Sequence, residues 1–244
     1  MKGYSCGLSL ESYGLLLVLL SAILYALAGA FVKLGHIRGR LPSTELVFAR
    51  GIFQGGFILL GLFMTRDDKN QRLIHHPFGK GAAAKRLVWA RGIIGGMGFL
   101  LDYHCMAVLP LGDAITLMSL YPFLTIFLAK FVLDEEIKVL HIVVTTASLF
   151  GAVMIAQPTF VFGSLESEIK NNPPTASLGY LTGCLGSICL ACVVIMIRKA
   201  GNIGVHTFQL LFCWAVLGTI FSILVGPMEG AWEVPSTLLV WGYV

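Results

Sequence analysis

The chain has 244 residues, of which 57% are hydrophobic and only 12% are charged, and its mean hydropathy is +0.83. This composition lies far from that of soluble globular domains and argues against that class. The net charge of +4 does not indicate nucleic-acid binding, because the Lys and Arg residues lie mainly at the ends of apolar runs. The composition predicts a protein of the lipid bilayer.

Seven apolar runs are long enough to cross a bilayer as helices, which requires about 20 apolar residues each. In chain order they occupy residues 13–34, 44–64, 87–109, 112–133, 139–157, 178–197 and 207–225. An eighth run opens near Ser236 and is cut off at Val244. We therefore predict an all-α integral membrane protein that is multi-pass and truncated in its eighth helix.

The basic residues in the connections between these runs predict the orientation of the chain. With the N-terminus inside, ten Lys and Arg residues fall on the inner side and four on the outer side. Because basic connections remain cytoplasmic, we expect the N-terminal segment, residues 1–12, to be cytoplasmic. The membrane of residence is either an endomembrane (ER or Golgi) or the plasma membrane.

The two halves of the chain resemble each other weakly. Residues 14–33 align without gaps on residues 179–198, and both segments end on a basic residue. "LVWARG" at Leu87 has a counterpart in "LVWGYV" at Leu239, so that the repeat unit is five helices long. An odd number of helices inverts the second copy across the membrane. We predict a first repeat over residues 13–157, an inter-repeat loop over 158–177, and a partial second repeat over 178–244.

Several sequence strings carry a family resemblance. "ELVFARGIFQGG" at Glu45, "LVWARGIIGG" at Leu87 and "AVLPLGDAITLMSLYPFLTIFLAKFVLDEE" at Ala107 resemble the second to fourth helices of EamA-type carriers in the drug/metabolite transporter superfamily. "QPTFVFGSLE", "IRKAGNIGVH" and "GAWEVP" are similar to the G branch of solute carrier family 35. The resemblance implies a ten-helix carrier, here C-terminally incomplete, that moves a small polar or anionic metabolite by alternating access. The alternative is a membrane scaffold or regulatory partner subunit without transport, which the truncation favours.

The third apolar run carries two opposite charges. Arg91 and Asp102 lie about 20° apart around a helix and about 16 Å apart along its axis, and Gly95 and Gly98 share their face. Intramembrane charges face bundle interiors or watery cavities, so we expect this face to line a cavity. The alternative is that Gly95, Gly96 and Gly98 serve helix packing and that Arg91 lies near the inner headgroups.

A further arginine, Arg50, lies within the second run, with Gln54 one helical turn further on the same face. An arginine at this depth is costly, and it is retained for a ligand or for a buried partner such as Asp102, unless it snorkels to the surface. The candidate substrate-binding residues are Arg50, Gln54, Arg91, Asp102 and Tyr121.

Pro122 falls in the middle of the fourth run, directly after Tyr121. Proline lacks the N–H that a helix interior requires, and it frees a carbonyl one turn earlier. We therefore predict a kink at this position and take Pro122 as a candidate hinge.

No catalytic constellation is present in the sequence, so we expect a non-enzyme without a cofactor. The C-x-x-C formed by Cys189 and Cys192 has no second ligand pair, and we predict no metal site. The expected partners are the lipid bilayer and a small-molecule substrate, with an organic anion favoured by the arginines. A homodimer or a complex with another membrane protein is left open, and nucleic acid is not expected.

Overall fold

A computed structural model describes residues 10–39, 42–66, 72–134, 136–156, 161 and 173–229. These residues form, in chain order, the helices α1 (Leu10–Gly39), α2 (Ser43–Met64), α3 (Ala82–Val108), α4 (Leu111–Met118), α5 (Tyr121–Leu133), α6 (Val139–Ala156), α7 (Pro173–Asn202) and α8 (Thr207–Glu229). A short 3-10 helix, Leu73–His75, precedes α3. The prediction of an all-α, multi-pass membrane protein is confirmed.

Five segments of the described part of the chain are long and apolar enough to cross a membrane. They are Ser12–Leu34, Ser43–Met64, Leu111–Leu133, Ser177–Asn202 and Thr207–Pro227. The apolar part of α6, Val139–Ile155, is shorter. The 27 residues of α3 extend for about 40 Å, which exceeds the hydrocarbon thickness of about 30 Å. Its charged residues lower its hydropathy, and it packs lengthwise against α7 and α8.

Several predicted boundaries differ from the structure, chiefly in α1 and α7. Helix α1 extends beyond residues 13–34 at both ends, and α7 begins at Pro173 instead of residue 178. Proline is accepted in a first helical turn, where its missing N–H has no partner to lose, so the two prolines do not delay α7. The predicted eighth helix near Ser236 lies outside the described residues, as do most of residues 158–177.

The fourth predicted helix is two helices in the structure. Helix α4 ends at Met118 and α5 begins at Tyr121, with Ser119 and Leu120 forming a turn between them. Pro122 lies in the first turn of α5, where it has no N–H to donate to the carbonyl of Met118. The disturbance predicted at Pro122 is present as a two-residue interruption of the helix, in which Ser119 and Leu120 keep right-handed helical backbone angles.

Helix α3 is central to the packing of the described helices, with α7 and α8 as its main neighbours, and α8 also packs against α2. Glycines on α3 allow this close approach. A Cβ atom added at Gly96 would lie 3.1 Å from the backbone nitrogen of Gly218 on α8. One added at Gly98 would lie 2.7 Å from the Cβ of Cys189 on α7. Small side chains at helix crossings let the backbones approach one another in this way.

Helix α1 is mostly exposed but is tied to the bundle near its C-terminal end. The Lys33 ammonium donates hydrogen bonds to the carbonyls of Ala107, at 2.9 Å, and Leu109, at 2.7 Å. These carbonyls belong to the C-terminal end of α3, where the helix dipole favours a cation. The contact fixes α1 beside α2 and α3, and the three helices enclose the site described next.

Candidate functional site

A cleft of about 350 Å³ opens between α1, α2 and α3. We call it the α1–α3 cleft. Its lining is contributed by α1 (Ala28, Phe31, Val32), by α2 (Leu46, Arg50, Phe53, Gln54) and by Tyr103 of α3. The volume lies within the range of small-molecule sites, and the lining is mainly apolar with a few polar groups, as is usual for such sites.

Arg50 supplies the charge of the α1–α3 cleft. Its Nε donates to the Gln54 side-chain oxygen at 3.3 Å, and its Nη1 donates to the Tyr103 hydroxyl at 2.9 Å. The guanidinium carbon lies 4.5 Å from the ring centroid of Phe99 and 6.0 Å from that of Trp214. Arg50 is thus held in one orientation by two hydrogen bonds and by aromatic rings.

The charge of Arg50 is not neutralised within the described part of the chain. No carboxylate forms a salt bridge with its guanidinium there, and Asp102, the partner expected as one alternative, is not bonded to it. Among the described residues its Nη2 also has no hydrogen-bond partner. A half-buried, oriented cation with donor capacity to spare can bind a carboxylate or a phosphate oxygen.

Arg91 lies in a different environment from Arg50. It is buried, its Nη1 contacts the carbonyl oxygen of Leu210 at 3.4 Å, and its guanidinium carbon lies 5.1 Å from the Trp214 ring centroid. Its Nε has no hydrogen-bond partner among the described residues. Arg91 therefore lies in the interface between α3 and α8 and does not line the α1–α3 cleft.

Asp102 is also buried between helices. Its Oδ1 faces Gly186 of α7, and no hydrogen-bond partner for this atom is present among the described residues. The face of α3 that carries Arg91 and Asp102 is therefore covered by α7 and α8, which differs from the expectation that it lines a cavity. The reason is that its glycines admit α7 and α8 at close range.

The three glycine candidates lie at the contacts of α3 with α7 and α8. Gly95 faces Trp214, whose indole N–H donates to the Gly95 carbonyl at 3.0 Å, while Gly96 and Gly98 face α8 and α7 respectively. Tyr121 and Pro122 are half-buried at the start of α5 and do not line the α1–α3 cleft. Of the five predicted substrate-binding residues, the structure therefore brings only Arg50 and Gln54 together in the cleft.

Sequence reasoning missed the aromatic residues that orient the two arginines. Tyr103 and Phe99 lie one turn apart on α3 with ring centroids 4.6 Å apart, and Phe99 meets Trp214 edge to face at 5.0 Å. Trp214 in turn lies between Arg50 and Arg91. The spacing of Phe99 and Tyr103 was visible in the sequence, but their pairing with a cation on α2 depends on tertiary packing.

Asp113 lies in the first turn of α4 and joins this helix to α7. Pro110 is the N-cap residue of α4, and Asp113 is the third residue of that helix. Its buried carboxylate accepts a hydrogen bond of 2.5 Å from the Tyr180 hydroxyl of α7. The contact joins α4 to α7 at one end of the bundle.

Comparison with known proteins gives a family match over the first part of the chain. Residues 12–157 match the sequence profile of the family described as EamA-like transporters. The chain is 32% identical over 155 residues to an uncharacterized membrane protein of Saccharomyces cerevisiae, covering 61% of this chain and 37% of that protein. It is 24% identical over 226 residues to solute carrier family 35 member G1 of Homo sapiens, covering 91% of this chain and 57% of that protein.

A third relative is a probable transport protein of Saccharomyces cerevisiae, 30% identical over 172 residues, covering 67% of this chain and 47% of that protein. The chain thus spans less than two thirds of the length of each of these curated relatives. No solved structure matches it.

Proposed function

We propose that this chain, which belongs to the EamA-like transporter family, moves a small organic anion across the membrane by alternating access, with Arg50 as the anchor for the anion. The observation that carries the proposal is the state of Arg50. It is a half-buried arginine in a membrane-spanning helix, oriented by Gln54 and Tyr103, with no carboxylate partner among the described residues. Placing an arginine at this depth in the membrane costs free energy, and binding of an anionic ligand offsets that cost.

The chemistry around Arg50 favours an organic anion over a neutral solute. A carboxylate or phosphate oxygen can accept hydrogen bonds from the free side of the guanidinium fork. The apolar lining from α1 and α2 suits a hydrocarbon portion of the same molecule. A neutral solute would fill the α1–α3 cleft without compensating the charge of Arg50.

The break between α4 and α5 supports the alternating-access part of the proposal. The two helices form one apolar segment of 23 residues, Leu111–Leu133, and Pro122 leaves them without a continuous backbone ladder. Helix interruptions within a membrane segment are where carriers bend. We propose that α5 swings about this break when the α1–α3 cleft changes the side to which it opens.

The test is uptake by the whole protein in proteoliposomes. The probe is a panel of isotope-labelled mono- and dicarboxylates and phosphate monoesters, with sugars and neutral amino acids of similar size for comparison. We expect uptake of at least one anion, loss of that uptake in Arg50→Gln, and partial retention in Arg50→Lys, which keeps the charge but not the fork. Arg72→Gln is the matched control, because Arg72 is exposed and packs over Phe63, outside the cleft.

Two results would overturn this proposal. One is uptake confined to neutral solutes, and the other is full anion uptake by Arg50→Gln. If no probe is transported and none raises the melting temperature, the alternative of a membrane scaffold or regulatory subunit replaces the carrier. We also propose a cytoplasmic N-terminus, on the distribution of basic residues. The membrane of residence is an endomembrane or the plasma membrane in this proposal.

A further inference from the structure

Asp102 is a buried carboxyl group that the proposed anion site does not use. It lies on α3, six residues before the helix ends at Val108, and only 4% of its surface is exposed. One of its oxygens, Oδ1, has no hydrogen-bond partner among the described residues. Buried carboxylates normally accept several hydrogen bonds or pair with a cation, so this environment is unusual.

The helix opposite Asp102 leaves no room for water at Oδ1. Gly186 of α7 faces this atom so closely that a Cβ added at Gly186 would collide with Oδ1 and would lie 3.2 Å from Cγ of Asp102. The glycine therefore lets the α7 backbone close directly over the carboxyl group. An oxygen covered by backbone in this way keeps no hydration shell.

The titratable groups around Asp102 do not supply a positive charge. Those that interact electrostatically with it in the described structure are Tyr25 of α1, Cys105 of α3 and Cys189 of α7. Among the residues described, no hydrogen bond or ion pair joins Asp102 to a titratable group of α2, α4 or α8. A metal cation would need several oxygen ligands, and the described residues contain no group of three or more His, Cys, Asp or Glu that could hold one.

These contacts distinguish the two protonation states of Asp102. An ionised carboxylate enclosed without a cation or a full set of donors costs several kcal/mol, whereas the neutral acid avoids this cost. The closed contact with Gly186 therefore favours the protonated acid. The ionised carboxylate favours an open contact in which water reaches Asp102. Ionisable groups inside membrane segments often serve as proton sites for this reason.

We propose that Asp102 is an exchangeable proton site that controls the contact between α3 and α7. The contact at Gly186 closes when the carboxyl group holds a proton. When the O–H bond breaks, the proton passes to water that enters the opened contact and the carboxylate remains on Asp102. On the proposed carrier function, this makes the proton the coupling ion of the transport cycle.

The test uses infrared difference spectroscopy on the whole protein in lipid nanodiscs, titrated from acidic to alkaline pH. A protonated carboxyl group absorbs at the C=O stretching frequency of an acid, and this band is distinct from the carboxylate bands. The exposed carboxyl groups lose their acid band first as the pH rises. We expect one component of the band to persist to higher pH in the wild type, to be missing in Asp102→Asn and to be unchanged in Asp113→Asn. Asp113 is the matched control because it is a buried carboxylate with a hydrogen-bond donor, Tyr180.

A second readout follows the helix contact itself. Asn resembles the protonated acid in shape and cannot ionise, so Asp102→Asn is expected to fold and to keep α3 and α7 together at all pH values. The wild-type melting temperature is expected to fall as the pH rises toward the point at which this component of the acid band disappears, and to level off above that point. The melting temperature of Asp102→Asn is expected to stay constant over the same step.

Three results would overturn the proton site. They are persistence of the late-titrating component of the acid band in Asp102→Asn, loss of that component in Asp113→Asn, and a parallel pH dependence of the melting temperature in wild type and Asp102→Asn. Neither readout requires a transported substrate. A protein that shows the Asp102 band but takes up no anion would therefore retain the proton site and contradict only the proposed function.

Discussion

The contact between Gly96 of α3 and Gly218 of α8 predicts that Gly96→Ala and Gly218→Ala differ in their effect on the stability of the fold. A Cβ at position 96 would lie 3.1 Å from the backbone nitrogen of Gly218, 3.3 Å from its Cα and 3.1 Å from Cδ2 of Phe221. A Cβ at position 218 would meet no atom within 4 Å. The two glycines meet at one crossing, yet only Gly96 directs its missing side chain into it.

The cost of Gly96→Ala follows from these distances. Carbon atoms pack at about 3.5–4.0 Å, so the α8 backbone must withdraw by a few tenths of an ångström or more. Overpacking of this kind costs about 1–3 kcal/mol. Ala gains about 1 kcal/mol over Gly in helix propensity, but this gain is the same in both variants and cancels from their difference. We therefore expect Gly96→Ala to be less stable than Gly218→Ala by about 1–3 kcal/mol.

The assay is thermal unfolding of the whole protein in detergent, followed by intrinsic tryptophan fluorescence. At about 2–4 °C per kcal/mol for a chain of this size, Gly96→Ala should melt about 2–12 °C below Gly218→Ala. Equal melting temperatures for the two variants, or a lower value for Gly218→Ala, would refute the close packing of α3 on α8.

Three further predictions concern the hinge, the anchor of α1 and the orientation. Pro122→Ala should let α4 and α5 join, slowing anion uptake at saturation without changing the binding affinity; an unchanged rate would argue against a hinge at this position. Lys33→Met should lower the free energy of unfolding by about 1–3 kcal/mol, since the carbonyls of Ala107 and Leu109 lose a charged donor. The exposed Lys130→Met is its control, and equal melting of the two variants would contradict this role for Lys33. An N-terminal epitope tag should be digested by protease once the plasma membrane alone is permeabilised and the organelles stay sealed. Digestion on intact cells, or only after the organelles are also opened, would reverse the assigned orientation.

The membrane helices could be predicted from the sequence because their signal is local. The length of an apolar run decides whether a helix spans the bilayer, and no tertiary information is needed. The interruption of the helix at Pro122 could be predicted as well, because the missing N–H of proline is also a local property. Whether it kinks one helix or separates two depends on the turn at Ser119 and Leu120, which local rules leave open.

The site was less predictable because it depends on which helices meet. The depth of Arg50 and its spacing to Gln54 could be read directly from the chain. Arg91 and Asp102 lie on one helix, as their spacing predicted. The sequence pattern does not predict that α7 and α8 cover them. For the same reason Tyr103 could not be recognised as the partner of Arg50. Pairing between distant helices is set by packing.

The central claim is that the guanidinium of Arg50 holds the transported anion, and equilibrium binding tests it most directly. The measurement is the Kd of the transported anion for the wild-type whole protein in detergent and for Arg50→Gln, with Arg72→Gln as the control. Loss of a charge-assisted hydrogen bond worth about 1.5–3 kcal/mol predicts a Kd about 10- to 150-fold weaker in Arg50→Gln. The Kd of Arg72→Gln should equal that of wild type. Equal affinities of Arg50→Gln and wild type would contradict the account.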